Sequence, residues 1–283
     1  VDYNAMDDAA FRQEVRGWIE ANYPQALRFP VHRLHRADTK VWYDLLSQKG
    51  WIAPGWPREH GGMGLDAAKR IIFTEELERH GCTRFNDHGV LMIGPLLINH
   101  GTQAQRDYFL PKILTGEHIW AQGYSEPNAG SDLAGLRTTA VLENDEWVIN
   151  GQKIWTTLGN DANWLYLLAR TDKEAKKQEG ISFFLLPADT PGVTIRPIMT
   201  MSMTDEFCEM FLDNVRIPKD AVVGGLNQGW TIAKRLLGFE RIFLGSPAQS
   251  SFAIQRMAEL GDRLKLWNDQ SFADRYAALK MAV

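Results

Sequence analysis

The sequence predicts an α+β multidomain chain in which a helical N-terminal part, a β-rich middle part and a second helical part follow one another. Three observations carry this. Apolar residues recur at the 3.6-residue period up to about residue 119, the period shifts towards two from Ile119 to about residue 225, and the helical period returns after Asn227. The expected divisions are therefore 1–119, 120–225 and 226–283.

In the first part, Phe11, Val15, Trp18 and Ile19 fall at i, i+4, i+7 and i+8, one apolar stripe on a helix that Asn22 to Pro24 ends. Trp42, Leu45, Leu46 and Lys49 continue the pattern on a second helix closed by Gly50. The Gly- and Pro-rich run from Trp51 to Gly64 reads as a loop, and a third helix spans about 66–80 before the stop at Gly81. Further helices over about 90–100 and 103–114 complete a helical bundle.

In the middle part, residues 141–150 alternate around an Asn144-Asp145 turn. Runs at 147–149, 164–168, 181–186, 193–195 and 207–215 are β-branched and aromatic and lie between turns, and Pro218 with Gly224-Gly225 closes the set. After Asn227, Trp230, Leu237 and Leu244 share a helical face, and beyond Asp269 the residues Phe272, Tyr276, Leu279 and Val283 form another stripe at i, i+4, i+7 and i+11. That stripe runs to the last residue, so the C-terminal bundle is expected to be incomplete, its apolar faces needing more chain or another subunit.

Bulk properties narrow the function. With 283 residues, 45% hydrophobic content and 10 Trp, 7 Tyr and 13 Phe, the chain has ample material for more than one core. The 31 basic and 35 acidic residues leave a charge of −4 without a basic run interleaved with aromatics, so no nucleic-acid partner is expected. The mixed-sign cluster at 172–179 reads as a solvated loop. The sequence lacks an apolar run of membrane-spanning length and a signal pattern, so a soluble cytoplasmic protein is expected, or one of the mitochondrial matrix if a transit peptide preceded Val1. Cys82 and Cys208, far apart in the chain, are expected as buried free thiols of a reducing compartment.

Some motifs fail on context. Gly62-Met63-Gly64-Leu65-Asp66-Ala67 matches the dinucleotide fingerprint in letters, yet it follows a Pro/Gly/Trp loop where that fingerprint needs a strand, and so reads as a turn into a helix. His32 and His35 have no metal-ligating neighbour in sequence and read as an exposed pair on a polar loop; no metal site is expected. Gly-x-Ser-x-Gly and phosphate-cradling Gly-rich loops are absent.

Two segments carry the chemistry. Gln122 to Asp132 (Gln-Gly-Tyr-Ser-Glu-Pro-Asn-Ala-Gly-Ser-Asp) sets short polar side chains beside glycines that let a ligand approach the backbone; it reads either as a binding loop or as a connection between domains. Trp155-Thr156-Thr157 places a flat indole beside two hydroxyls, which suits a planar, hydrogen-bonding ring such as an isoalloxazine, with Ser125 as a further donor. Taken alone, that segment equally fits a core tryptophan among strand-forming threonines.

Together these segments resemble the acyl-CoA dehydrogenase family, over the whole chain and in the family's order. The resemblance rests on Gly55-Trp56-Pro57 to Gly61-Gly62, Gly101-Thr102 through Pro111-Lys112 to Gly116-Glu117, Tyr124-Ser125-Glu126-Pro127-Asn128-Ala129-Gly130-Ser131-Asp132, Ile149-Asn150-Gly151-Gln152-Lys153-Ile154-Trp155-Thr156-Thr157, Asp213-Asn214-Val215-Arg216-Ile217-Pro218 and Gly229-Trp230. The stretch from Tyr124 is the most specific, with Asn128 where glycine is more usual. The resemblance implies an α-helical N-terminal domain, a β-barrel or sandwich middle domain and an α-helical C-terminal bundle, with FAD and acyl-CoA meeting between them.

By position, it implies that Gln122, Tyr124, Ser125, Trp155, Thr156 and Thr157 contact the flavin, Thr157 at the reactive nitrogen. Ser131, Gly238, Phe239 and Arg241 fall on the substrate side. The implied reaction removes an α-proton and a β-hydride to leave a trans-2-enoyl thioester, with electrons passing to an electron-transferring flavoprotein. A homodimer or homotetramer is implied, a heteromer remaining open.

The reaction needs a carboxylate base. Many members place it late in the C-terminal domain; those resembling isovaleryl and long-chain enzymes place it on the first C-terminal helix, where Glu240 stands. Leu236, Leu237, Phe243 and Leu244 lie at i−4, i−3, i+3 and i+4 from Glu240, so its carboxylate rises from an apolar stripe with no basic partner at those spacings. Such a group is a candidate base; the other reading is an ion pair with a distant arginine or a solvated side chain. Two further functions stay open: a flavin monooxygenase or oxidase of the same fold, and a non-catalytic subunit of a heteromeric dehydrogenase.

Overall fold

The computed structural model describes residues 1–30, 32–83, 88–244 and 248–283, with only the backbone described for 239–244 and 248–249. In chain order the helices are α1 Asp8–Asn22, α2 Arg36–Lys49, α3 Ala67–His80, α4 Gly94–His100, α5 Gln103–Leu114, α6 Gly229–Leu244, α7 Ala248–Leu264 and α8 Gln270–Ala282. Between α5 and α6 lie β1 Trp120–Gly123, β2 Thr139–Glu143, β3 Glu146–Thr157, β4 Trp164–Arg170, β5 Ile181–Pro187, β6 Val193–Ile198, β7 Phe207–Pro218 and β8 Val222–Val223. None of the described helices is long and apolar enough to cross a membrane.

Helix starts follow from short acceptors at the caps. Asp7 accepts the N–H of Ala10 and Asp66 that of Lys69, each at 2.9 Å. At α5 the capping is reciprocal: Thr102 accepts the Gln105 N–H (3.2 Å) while the Gln105 side chain accepts that of Thr102 (3.0 Å).

The described chain groups into two compact units. One holds Val1–Phe29, Leu65–Thr83 and Arg241–Val283. Here α1 buries Phe11, Val15 and Ile19, of the stripe that the helical period marks, and α3 buries Ile72 and Phe73. Between these helices Glu76 is almost fully buried and accepts from Arg12, Arg16 and Arg79, each at 2.9 Å. Burial pushes this carboxyl upward, but the three guanidinium groups outweigh it and hold Glu76 down at about 2. Cys82 is half-buried, not fully buried as expected, and burial still pushes its thiol up to about 12. On α8, Phe272 and Tyr276 pack with Trp267, whereas Leu279, Met281 and Val283 are exposed.

The other unit holds Pro30–Gly64 and Arg84–Glu240. Its sheet has eight strands in the order β6-β7-β3-β2-β4-β5-β8, with β1 joined to β4 off that path. Neighbours are antiparallel except β1 and β2, which each run parallel to β4. Inward residues of every long strand enter one core, among them Ile149, Leu165, Leu167, Phe184, Leu186, Met210 and Val215, so the sheet wraps around its own apolar face. In β4 and β5 consecutive residues are buried, which means both faces are covered. Leu165 and Leu167 face the core, and Tyr166 looks the other way, onto Met92.

The helix expected over 90–100 takes a different form. It opens as a π-helical turn, Gly89–Ile93, and becomes α-helical only at Gly94. Gly94 donates to the carbonyl of Gly89, and Pro95, next in line for the carbonyl of Val90, has no N–H to give. The Val90 carbonyl accepts instead from the indole N–H of Trp56 at 2.8 Å. A side chain at Gly94 would begin 1.7 Å from the Trp56 ring, so glycine is required there. Gly62 is held similarly: its Cβ would lie 2.2 Å from the Trp56 carbonyl, in a turn that leads into α3.

The depressed pKa of Glu76 contributes stability that is fully present above about 4.5 and is lost as pH falls towards about 2. Glu76→Gln is therefore expected to lower stability by ~3 kcal/mol at neutral pH, with the deficit shrinking across that acid range. Denaturant unfolding at pH 7 and pH 3 measures this, and a deficit that does not change with pH contradicts it.

Candidate functional site

β3 is the scaffold of the site, and it is not a regular strand. Its register against β7 shifts between Ile149 and Gly151 and again between Lys153 and Thr156. In an unbroken strand Lys153 and Trp155 would share one face. The second shift is a bulge with Trp155 at φ 60, and it reverses the alternation: Lys153 and Thr156 are fully buried, while Trp155 is 57% exposed. A left-handed backbone at a bulky residue costs roughly 1–3 kcal/mol, and Leu158 repeats it at φ 47. Trp155 is therefore not a core tryptophan; its ring is presented outward, edge-on to Phe207 at 6.0 Å.

The buried Lys153 ties the two sequence-marked segments together. Its ammonium donates to Glu126 Oε1 (2.8 Å) and to the carbonyls of Leu168 (2.7 Å) and Tyr124 (3.3 Å). Glu126 also accepts the backbone N–H groups of Arg137 (2.6 Å) and Thr138 (2.9 Å). One residue either side of this pair, the Ile154 N–H donates to the Ser125 carbonyl at 2.9 Å. Burial pulls the Lys153 ammonium down to about 8, so it remains charged at neutral pH. Burial works against ionised Glu126 too, but Lys153 and the N–H donors hold its carboxyl below the ordinary value.

Beyond Glu126 the chain makes a tight reversal in which Glu126 and Ala129 exchange both backbone hydrogen bonds at 3.0 Å. Asn128 at its tip has an ordinary negative φ, which explains why glycine is not needed there. Gly130, Ser131 and Asp132 follow as an exposed segment, with Asp132 paired to Lys177 at 3.2 Å.

Gln122 lies in β1 opposite Tyr166 of β4. The Tyr166 hydroxyl lies 3.0 Å from Gln122 Oε1, 3.0 Å from His88 Nδ1 and 3.1 Å from Met92 Sδ. Burial drives His88 down to about 4, so it is neutral at pH 7. Tyr166 has one proton to give, and donation to Gln122 leaves His88 to donate its Nδ1–H. With its oxygen engaged, Gln122 has amide N–H groups without a partner among the described residues, and these can be offered to a ligand. Tyr124 sets its ring edge-on to Tyr166 and Phe183, which are themselves stacked at 5.6 Å.

Gln122, Tyr124 and Ser125 thus stand on one clasped strand exit, beside the strand end bearing Trp155, Thr156 and Thr157. Thr156 is buried, its hydroxyl without a hydrogen-bond partner among the described residues, and Thr157 is half-buried opposite Phe207. Gly238 is exposed on α6. The backbone of Phe239, Glu240 and Arg241 continues that helix, and their side chains lie outside the described residues.

His35 departs from the expectation of an exposed loop residue. Asp161 and Asp205, 126 and 170 residues away in sequence, close on its two ring nitrogens. Spacing along the chain carries no trace of partners so distant. Among the described residues no cluster of three or more His, Cys, Asp or Glu side chains could hold a metal. The pairing of Glu126 with Lys153 is equally hidden in the sequence; its one local signal is a lysine in the middle of a strand.

A helical part feeding an eight-stranded sheet, which in turn feeds a helix, with an outward indole next to a clasped polar loop, defines the class of protein. Sequence models agree with it: acyl-CoA dehydrogenase, N-terminal domain, matches residues 6–117, and acyl-CoA dehydrogenase, middle domain, matches 121–215. The acyl-CoA dehydrogenase IpdE1 of Mycobacterium tuberculosis is 41% identical over 281 residues, spanning 95% of this chain and 73% of the relative. Among solved structures, the Tcur3481-Tcur3483 steroid ACAD aligns with TM-score 0.85 and 32% identity over 98% of this chain and 75% of its own. The ChsE4-ChsE5 complex from Mycobacterium tuberculosis aligns with TM-score 0.76 and 33% identity, covering 90% of this chain and 65% of its own. The chain belongs to the acyl-CoA dehydrogenase family, flavoprotein oxidoreductases acting on CH–CH bonds.

Removing one member of a buried pair strands the other. Lys153→Met is expected to cost ~3–5 kcal/mol by leaving the Glu126 carboxylate without its cation, and Glu126→Gln added to it to restore part of that loss. A double-mutant cycle on unfolding free energies measures the coupling; additive single losses argue against it.

Proposed function

We propose that this chain carries out the α,β-dehydrogenation of an acyl-CoA thioester to the trans-2-enoyl thioester, with FAD as cofactor and an electron-transferring flavoprotein as acceptor. The observation that carries the reading is the clasp between Ser125 and Ile154 at 2.9 Å, next to a strained, outward-facing Trp155. It makes one wall of two segments that are 30 residues apart in sequence, from Ser125 to Trp155.

The wall fits a flavin. Trp155 offers a flat apolar surface, while Ser125, Thr157 and the amide of Gln122 offer donors for a polar ring edge. Tyr124 and Thr156 complete the set of residues that would hold the ring. FAD, when bound, supplies the two-electron acceptor for the β-hydrogen. Glu240, which in sequence has Leu236, Leu237, Phe243 and Leu244 at helical spacing around it, takes the α-proton. Ser131 contacts the CoA arm, and Gly238, Phe239 and Arg241 line the substrate side. This assignment divides the chain at 119 and 225, with the wall in the middle part.

The names of two similar solved structures, a steroid ACAD and a complex of two proteins, favour a second, narrower reading: a heteromeric dehydrogenase acting on the CoA thioester of a steroid-derived acid. Here the chain would be one of two unlike subunits.

Flavin absorbance of the purified protein, and its bleaching under anaerobic acyl-CoA, test the first reading; a colourless protein that does not bind added FAD counts against it. Glu240→Gln is expected to keep the flavin and lose about 10²-fold in turnover. Unchanged turnover assigns the base to another residue, and oxygen consumption coupled to turnover identifies an oxidase.

A further inference from the structure

The loops flanking the proposed flavin wall are held by charge. His35 sits at the N-terminus of α2 with Nδ1 at 3.0 and 3.1 Å from the two carboxylate oxygens of Asp161 and Nε2 at 3.0 Å from Asp205 Oδ1. Ionised carboxylates only accept, so both contacts are hydrogen bonds only when both ring nitrogens carry a proton. A neutral imidazole would satisfy one aspartate and turn a lone pair on the other.

Both aspartates stand next to the wall. Asp161 follows Thr157 by four residues, and Asp205 precedes Phe207, the strand partner of Thr157 and the ring neighbour of Trp155. The two loops are joined by the Leu158 N–H on the Glu206 carbonyl at 2.7 Å. The surrounding charges are arranged to receive a cation at His35. Asp161 also accepts the Arg36 N–H (2.9 Å), Asp205 accepts from Asn160 (2.9 Å), Arg33 pairs with Glu206 (2.5 Å), and Asp38 accepts the His35 backbone N–H (3.2 Å).

We propose that His35, as an imidazolium bridging Asp161 and Asp205, is a positioning residue that latches the two loops behind Trp155 and Thr157, and that its loss of a proton releases them. The latch stands on geometry alone; its effect on flavin rests on the function proposed above. Hydrogen bonding to Asp161, ahead of the opposing effect of burial and the weaker help of Asp205, raises the His35 pKa above its ordinary 6.5. The stabilisation is therefore complete below about 6.5 and disappears as pH climbs through the raised value.

The test uses the full chain. Histidine ring NMR, with His35→Gln assigning the signal, is expected to show His35 titrating above 6.5, and Asp205→Asn to lower that midpoint. Amide exchange corrected for intrinsic rate is expected to rise about tenfold at Leu158 through the same midpoint, and to be equally fast at low and high pH in His35→Gln, the scale of a lost charge-assisted hydrogen bond. A His35 midpoint at or below 6.5, or Leu158 protection indifferent to it, overturns the latch; if His35→Gln does not fold, Asp205→Asn decides between the same outcomes. Retention of added FAD is expected to weaken through that midpoint. A protein that never binds FAD while both other readouts behave as stated sinks the flavin reading and leaves the latch standing.

Discussion

Everything at the proposed site depends on one buried cation. A fully buried ammonium is tolerable only where its hydrogen-bonding protons find acceptors and a counter-charge stands close by. Lys153 meets that condition with three acceptors from two pieces of chain: the Tyr124 carbonyl and the Glu126 carboxylate at the exit of β1, and the Leu168 carbonyl of β4. Satisfying the lysine therefore brings β1, its following loop, β3 and β4 into one arrangement. The reversal from Glu126 to Ala129 and the bulge at Trp155 lie next to the two members of that buried pair.

The strain at Trp155 and Leu158 follows the same logic. Left-handed backbone at two large residues persists only where neighbouring bonds overdetermine it. Here the β3 and β7 ladder, the Ser125 clasp and the bond from Leu158 to Glu206 do so. What the protein gains is an indole held outside the core at a fixed angle. A regular strand would have buried that ring and put Thr156 in its place.

Charge is handled in different ways at Glu76, Glu126 and His35. Glu76 is saturated by three arginines and Glu126 by a lysine and two N–H groups, so neither is available for proton transfer near neutral pH. His35 is paired with acids and partly exposed, so it can exchange its proton with solvent. Glu240 stands in sequence with Leu236, Leu237, Phe243 and Leu244 at i−4, i−3, i+3 and i+4 and no basic residue at those spacings, and its proposed role as base rests on that pattern. Buried ionisable groups with complete partners organise the fold.

The order of helical and β parts, the apolar stripe of α1, the runs that became β4 and β5, and the family were all legible in the amino-acid sequence, because periodicity and contiguous motifs are local properties of a chain. Both wall segments were marked there too, though not that Ile154 joins Ser125 or which way Trp155 faces. Alternation predicts one face for Lys153 and Trp155, and only the bulge against β7 separates them. The π turn before α4 likewise needed Trp56, 34 residues before Val90, to take the carbonyl that Pro95 leaves unmet. His35 acquired its meaning from aspartates more than a hundred residues away. These are long-range hydrogen bonds, whose free energy depends on geometry that forms only when the sheet closes around its core, and so the folded chain alone settles them.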